Sequence, residues 1–339
     1  MMQIGIIGGG AWGTALALVA RRAGHAVGLW AREADVVEAI NATRRNPRFL
    51  PGLALDAAIR AEHALERVVG ASDLLALVTP AQHLRAVAAA IGATRLPVPP
   101  LLICAKGIEQ PAGLLMSEVL AEVLPGAAVA VLSGPTFARE VALDLPTAVT
   151  LATPDAALGE RLVAAFGGRS FRPYRSDDMI GAQIGGAAKN VLAIAAGIAI
   201  GRGLGENARA ALITRGFAEL NRLALAKGAR AETLAGLSGL GDLVLTSSSE
   251  QSRNYALGRA LGAGKTLAAH LAGRDSVAEG VASAPAVVAL GERLGVDLPI
   301  ARAVDQVLHR GAALDEAIGA LLARPFRAEG ALAHDHTRG

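Results

Sequence analysis

The stretch IGGAAKNVLAIAAGIAIG, residues 184–201, sets Lys189 and Asn190 side by side among glycine, alanine and aliphatic residues, and no other residue from Met179 to Gly201 is charged. An ammonium buried without compensation is costly, so a lysine in such a helix must be paired or used. The positions three and four residues away, where a helix brings side chains together, are Gly185, Gly186, Leu192 and Ala193. No acid on the same helix meets the lysine, and a carboxylate distant in sequence is the structural alternative. Gly185, Gly186 and Ala193 leave that face open to a ligand or to another backbone. A lysine in apolar surroundings is the type of group that gives and retakes a proton near neutrality.

A second set of candidates follows strand-like runs. Lys106 closes LLICAKG, and Gly134, Pro135 and Thr136 leave the next apolar run in LSGPTFAREV. Taken singly these read as a solvated lysine and a turn. Together they fall where open α/β sheets bind ligands, beyond the carboxyl ends of the strands. Asp242 stands in the glycine-bracketed GLGDLVLT, either as partner to a lysine or as acceptor for substrate hydroxyls. Ser252, Arg253 and Asn254 open a helical pattern, where hydroxyl, guanidinium and amide donors would seat a phosphate. An N-cap serine and a surface arginine are the plainer reading of the same residues. Glu279, in VAEG, suits a capping acid or a cofactor contact equally well.

The glycines of IGIIGGGAWGTALALVARRAG stand at Gly8, Gly10 and Gly13. That spacing, between a strand and a helix, predicts a dinucleotide turn: a tight turn at Gly8, close approach of the pyrophosphate at Gly10 and helix–strand packing at Gly13. Some twenty residues on, LWARE offers Arg32 and then Glu33. Arginine suits the 2'-phosphate of NADP and glutamate suits the ribose of NAD, and Arg32 tilts the reading toward NADP(H) or dual use.

The elements that must position these groups follow from periodicity. Strands are predicted at 3–8, 26–31, 74–79, 101–105, 129–133, 148–152 and 170–174, separated by helical patterns, which implies a parallel doubly wound sheet. From about residue 178 the pattern is helical only, as in ARAALITRGFAELNRLALAKG. The fold class is α/β: an N-terminal Rossmann-type doubly wound sheet followed by an all-α C-terminal domain. The expected division is a dinucleotide-binding domain at 1–184, a helical substrate-binding domain at 185–325 and a tail at 326–339.

Of the 339 residues, 33 are basic and 30 acidic, a net charge of +3 that argues against nucleic acid as a partner. The single cysteine, Cys104, cannot form an intrachain disulfide, and no His/Cys cluster has metal-ligand spacing, so no metal is expected. The first twenty residues are uncharged, but the arginines follow the apolar stretch rather than precede it, unlike a secretory signal. The apolar run around Lys189 is long enough to approach a bilayer span. Its central lysine and the lack of a second such run favour a buried helix over stable membrane insertion.

GGGAWGTALA, LPGL, AKGIE, LSGPTFAREV, GGAAKNVLAIAAGI, NARAALITRGFAEL, GLGDLVLT, QSRN, VAEG and LPI, in this order, resemble the bacterial-type NAD(P)-dependent glycerol-3-phosphate dehydrogenase family over nearly the whole chain. The resemblance implies reversible reduction of dihydroxyacetone phosphate to sn-glycerol 3-phosphate by NADPH or NADH, in the cytoplasm, by a homodimer that supplies glycerophospholipid synthesis. It implies Lys189 as general acid/base with Lys106 and Asp242 as further catalytic residues. Lys106, Gly134, Thr136, Lys189, Asp242, Ser252, Arg253 and Asn254 would hold the phosphate ester. Besides the three glycines of the turn, Ala11, Trp12, Arg32, Lys106, Ala138, Arg253, Val277 and Glu279 would hold the cofactor. By the same pattern Asn190 orients its neighbour.

Two other functions compete. A reductase of the 3-hydroxyacid dehydrogenase or ketopantoate reductase kind would share the architecture and a central lysine but take a carboxylate-bearing substrate. SGPTFA and the SRN helix start favour the phosphate ester. A nicotinamide-binding redox sensor would need no buried lysine.

Overall fold

The computed structural model of the protein describes residues 1–272 and 278–325. Val277 and the expected tail at 326–339 lie outside the described residues. The chain divides into two compact units, Met1–Gln183 and Ile184–Gly339.

The first unit holds strands β1 (Gln3–Ile7), β2 (Ala26–Trp30), β3 (Arg60–Glu62), β4 (Leu74–Leu77), β5 (Leu101–Ile103), β6 (Val129–Ser133), β7 (Thr147–Ala152) and β8 (Phe171–Ser176). They form one sheet in the order β3-β2-β1-β4-β5-β6-β7-β8. Between them run α1 (Ala11–Arg22), α2 (Ala34–Thr43), α3 (Leu65–Ala71), α4 (Leu84–Ala93), α5 (Met116–Val123), α6 (Ala138–Ala142) and α7 (Ala156–Phe166). Alternation along the strands feeds two cores. Ile4 and Ile6 pack on one face with residues of α1, α2, α6 and α7, while Ile7, Leu75 and Leu77 pack on the other with α3, α4 and α5.

Strand order reverses between β1 and β4, where Ile4 pairs with both Val27 and Leu74. This is the switch point at which an open sheet leaves a crevice at its carboxyl edge.

Two features differ from the expected sheet. β3 is an additional strand of three residues, Arg-Ala-Glu, too short and too charged to show alternation. β7 runs antiparallel to β6, with Val131 opposite Ala152. The intervening α6 has five residues, about 7.5 Å of helix. That falls well short of the ~17 Å a crossover must cover to return to the amino edge of a five-residue strand, so β7 starts from the carboxyl edge.

α8 (Met179–Gly201) begins in the first unit and continues into the second. The second unit adds α9 (Gly205–Ala226), α10 (Ala231–Ala235), a π-helical turn at Leu237–Gly241, α11 (Asp242–Ser247), α12 (Arg253–Gly262), α13 (Leu267–Leu271), α14 (Glu279–Arg293), α15 (Pro299–His309) and α16 (Leu314–Leu322). It has no strand among its described residues.

α8 is long and apolar enough to cross a membrane, and 89% of its most apolar window is buried within the fold. Every residue from Gly181 to Ala199 is buried, as an all-round apolar helix requires. Close backbone contact fixes α12 on α8: a Cβ at Gly197 would lie 2.2 Å from the Tyr255 carbonyl oxygen, and one at Gly258 2.1 Å from that of Ile194. Filling such a contact costs about 1–3 kcal/mol.

Candidate active site

The turn after β1 has the shape that close approach to an anion needs. Gly8 has φ +133°, and a Cβ at Gly13 would lie 1.9 Å from the Gly8 carbonyl oxygen, so larger residues are excluded at both positions. A Cβ at Gly10 would meet nothing within 4 Å, which leaves the approach to the start of α1 clear. Gly10 is the N-cap of α1, and Ala11 and Trp12 are its first two residues, each partly buried. These residues fit a dinucleotide pyrophosphate.

At the carboxyl end of β2, Arg32 and Glu33 pair with each other at 2.9 Å, the arginine side chain 73% exposed. The residue suited to a 2'-phosphate and the residue suited to a ribose hydroxyl thus stand together at the N-terminus of α2. An ion pair this exposed is worth about 0–1 kcal/mol and is easily exchanged.

Lys106 and Gly134, from the adjacent ends of β5 and β6, meet directly. Lys106 Nζ donates to the Gly134 carbonyl oxygen at 2.8 Å, and Thr136 Oγ1 donates to the same oxygen at 3.3 Å. Ala138 opens α6 just beyond. Cys104, two residues before Lys106, is buried, and burial pushes its thiol up to about 12 although the Lys106 charge opposes the shift. It is no nucleophile.

In the second unit Lys189 is 6% exposed and has found its distant carboxylate. Nζ lies 2.5 Å from Asp242 Oδ1 and 2.8 Å from Thr246 Oγ1. Asp242 is fully buried where the π-helical turn at Leu237–Gly241 passes directly into α11. The glycine-bracketed segment before it is the π-helical turn, and it packs on α8: a Cβ at Gly185 would lie 2.4 Å from the Ser238 carbonyl oxygen. The small-residue face beside Lys189 is therefore occupied at Gly185 by backbone.

Asn190 Oδ1 accepts from Asn254 Nδ2 at 2.9 Å, and Asn254 Oδ1 accepts from the Gly280 N–H at 2.9 Å. This chain of amides joins α8, α12 and the first turn of α14, which Glu279 opens. Ser252 caps α12 by accepting from the Tyr255 N–H at 3.2 Å, and Arg253, the first residue of that helix, is exposed. Both polar atoms of the Asn254 side chain are thus engaged within the protein. Of the first three residues of α12, Arg253 alone is exposed.

The sequence matches the NAD-dependent glycerol-3-phosphate dehydrogenase N-terminus over residues 3–158 and the C-terminus of the same family over residues 178–319. The chain belongs to the NAD-dependent glycerol-3-phosphate dehydrogenase family. A glycerol-3-phosphate dehydrogenase [NAD(P)+] of Rhodospirillum rubrum is 57% identical over 97% of this chain and 94% of its own. One of Caulobacter vibrioides is 58% identical over 96% and 98%. The crystal structure of glycerol-3-phosphate dehydrogenase from Coxiella burnetii superposes with a TM-score of 0.92 at 38% identity, covering 95% of this chain and 99% of that one.

The competing reductases share the fold alone. A PanE/ApbA family ketopantoate reductase from Ralstonia eutropha superposes with a TM-score of 0.60 at 20% identity, covering 94% of this chain and 100% of that one.

The family is one of NAD(P)-dependent oxidoreductases. Two participants have no sequence signal. Thr246 joins the Lys189 pair only because α11 turns it back one helical turn from Asp242, and Asn46 reaches the glycine turn from 37 residues beyond Gly9. Among the described residues no group of three or more His, Cys, Asp or Glu side chains could hold a metal.

Proposed function

We propose that the protein reversibly reduces dihydroxyacetone phosphate to sn-glycerol 3-phosphate with NADPH or NADH. The observation that carries this reading is the Lys189 ammonium, buried and held at 2.5 Å by Asp242 and at 2.8 Å by Thr246. Hydride addition to a ketone leaves an alkoxide, so the site must deliver a proton to the carbonyl oxygen from a donor within ~2.6–3.2 Å. Lys189 gives that proton in reduction and takes it back in oxidation. Asp242 compensates the buried charge, and with Thr246 it fixes the direction in which the amine points.

Residues 1–184 serve as the dinucleotide-binding domain, with Gly8, Gly10, Ala11, Trp12, Gly13, Arg32 and Ala138 as holding residues, and Lys106 reaches both cofactor and substrate. Bound there, the nicotinamide supplies the hydride. Residues 185–325 serve as the substrate domain. Arg253 and the N-terminus of α12 hold the phosphate, whose binding energy fixes a carbonyl remote from it. Gly134 and Thr136 hold the rest of the substrate, Ser252 and Asn254 shape the helix start, and Glu279 borders the cofactor. The enzyme acts as a cytoplasmic homodimer supplying glycerophospholipid synthesis.

Turnover of dihydroxyacetone phosphate compared with carboxylate-bearing ketoacids tests the substrate class. Turnover of the phosphate ester with no measurable ketoacid activity is expected. Turnover of ketoacids alone would return the protein to the ketopantoate reductase kind.

A further inference from the structure

Asn46 is absent from the constellations expected from the sequence, yet it is fully buried and its amide nitrogen is held between the glycine turn and α1. Nδ2 lies 2.8 Å from the Gly9 carbonyl oxygen and 2.8 Å from Thr14 Oγ1, while Oδ1 accepts from the Phe49 N–H at 3.2 Å. Thr14, also fully buried, places Oγ1 2.9 Å from the Gly10 carbonyl oxygen.

The direction of each bond follows from the inventory of hydrogens. A carbonyl only accepts, so the one threonine hydroxyl hydrogen goes to Gly10. The hydroxyl must then accept from Asn46, whose two amide hydrogens are used on Gly9 and Thr14. A relay runs from Asn46 through Thr14 to Gly10 and fixes two successive carbonyls of the turn.

In a planar trans peptide the N–H points opposite to the C=O. Holding the Gly9 carbonyl therefore aims the Gly10 N–H, and holding the Gly10 carbonyl aims the Ala11 N–H. These are the N-cap and first N–H groups of α1, which lack intrahelical acceptors, and neither donates to a protein group among the described residues.

We propose that Asn46 and Thr14 are positioning residues for the dinucleotide, aiming the Gly10 and Ala11 N–H groups at its pyrophosphate. This rests on the reading of the glycine turn as the cofactor site. The brace acts on any ligand that carries a pyrophosphate and is indifferent to the 2'-phosphate.

Calorimetric titration of the full-length protein with NAD+, NADP+, ADP-ribose and adenosine tests it, using Thr14→Val, Thr14→Ser and Asn46→Leu. Loss of the relay in Thr14→Val is expected to raise Kd for NAD+, NADP+ and ADP-ribose alike, by about tenfold, the scale of one hydrogen bond. Adenosine affinity stays as in wild type, and Thr14→Ser, which keeps the hydroxyl, restores the wild-type Kd. In turnover the cofactor KM rises with the same factor while kcat at saturation changes by less than about twofold, as loss of uniform binding requires. Asn46→Leu shows a larger rise if it folds, and Thr14→Val decides the matter if it does not. An unchanged Kd in Thr14→Val beside a lowered Tm would make the brace merely structural and overturn the proposal, as would equal losses for ADP-ribose and adenosine. A wild-type protein that binds none of the dinucleotides would instead overturn the reading of the turn itself, and the proposal with it.

Discussion

Lys189 on α8 and Glu219 on α9 are both charged side chains buried in the helical unit, and their surroundings treat them differently. Lys189 meets a carboxylate and a hydroxyl. Glu219, 4% exposed, is hydrogen-bonded to backbone: it accepts from the N–H groups of Ile300 and Ala301 at 2.8 and 3.3 Å. Those are the first free N–H groups of α15, because Pro299 at its start has none. Glu219 is thus a cap supplied from another helix, and its chemistry is consumed by the fold. Burial of a charge does not by itself mark an active site. What distinguishes Lys189 is a partner set of side chains that orients a titratable amine without satisfying a helix end.

The largest effect that sharpens this contrast is expected from Asp242→Asn. It leaves a buried ammonium without its counter-charge, and denaturant unfolding should show a loss of about 3–5 kcal/mol. The double variant Lys189→Met/Asp242→Asn should recover most of that loss, because an apolar replacement removes the unpaired charge. Failure of the double variant to recover would mean that the pair is structural in the way Glu219 is.

Next comes the pH dependence of Glu219. Burial raises its carboxyl to about 7, against the lowering by the Ile300 and Ala301 N–H groups. The folded state binds the proton more tightly than the unfolded one. Its contribution is therefore fully present below the unfolded value near 4.5 and is lost as pH rises through about 7. The span corresponds to about 3 kcal/mol. Glu219→Gln should flatten the stability profile between those limits, measured as unfolding midpoint against pH, and an unaltered slope would remove Glu219 from the account.

The smallest effect concerns α12. Ser252→Ala removes one N-cap and should cost about 1 kcal/mol of stability. If the helix start also seats the substrate phosphate, KM for dihydroxyacetone phosphate rises as well. A fall in stability with an unmoved KM would leave Ser252 a cap only.

Much of this was legible in the sequence, and the limits are physical. The seven predicted strands correspond to seven of the eight observed, because alternating or continuous apolar runs are what a buried sheet demands. β3 escaped because a three-residue edge strand has too few side chains to set a period. The direction of β7 escaped because apolar pattern reports burial and is blind to polarity of the chain.

Lys189 announced itself by contrast with its neighbours, whereas the choice of Asp242 as its partner depended on a 53-residue separation that only the fold closes. Asn46 is the harder case. RNPRF reads as a turn, and nothing in it points to Gly9 or Thr14. Glu219 sits in ITRGFAELNRL among other polar residues, so no local signal separates a solvated glutamate from one that caps a distant helix.

The most direct test of Lys189 as proton donor compares wild type with Lys189→Ala, following loss of reduced-nicotinamide absorbance on addition of dihydroxyacetone phosphate while cofactor Kd is measured on the same samples. Loss of the acid/base should lower kcat by about 10²–10⁴ and leave the cofactor Kd unchanged. A Lys189→Ala protein that is folded, binds cofactor and reduces dihydroxyacetone phosphate at the wild-type rate would contradict the assignment of the proton to Lys189.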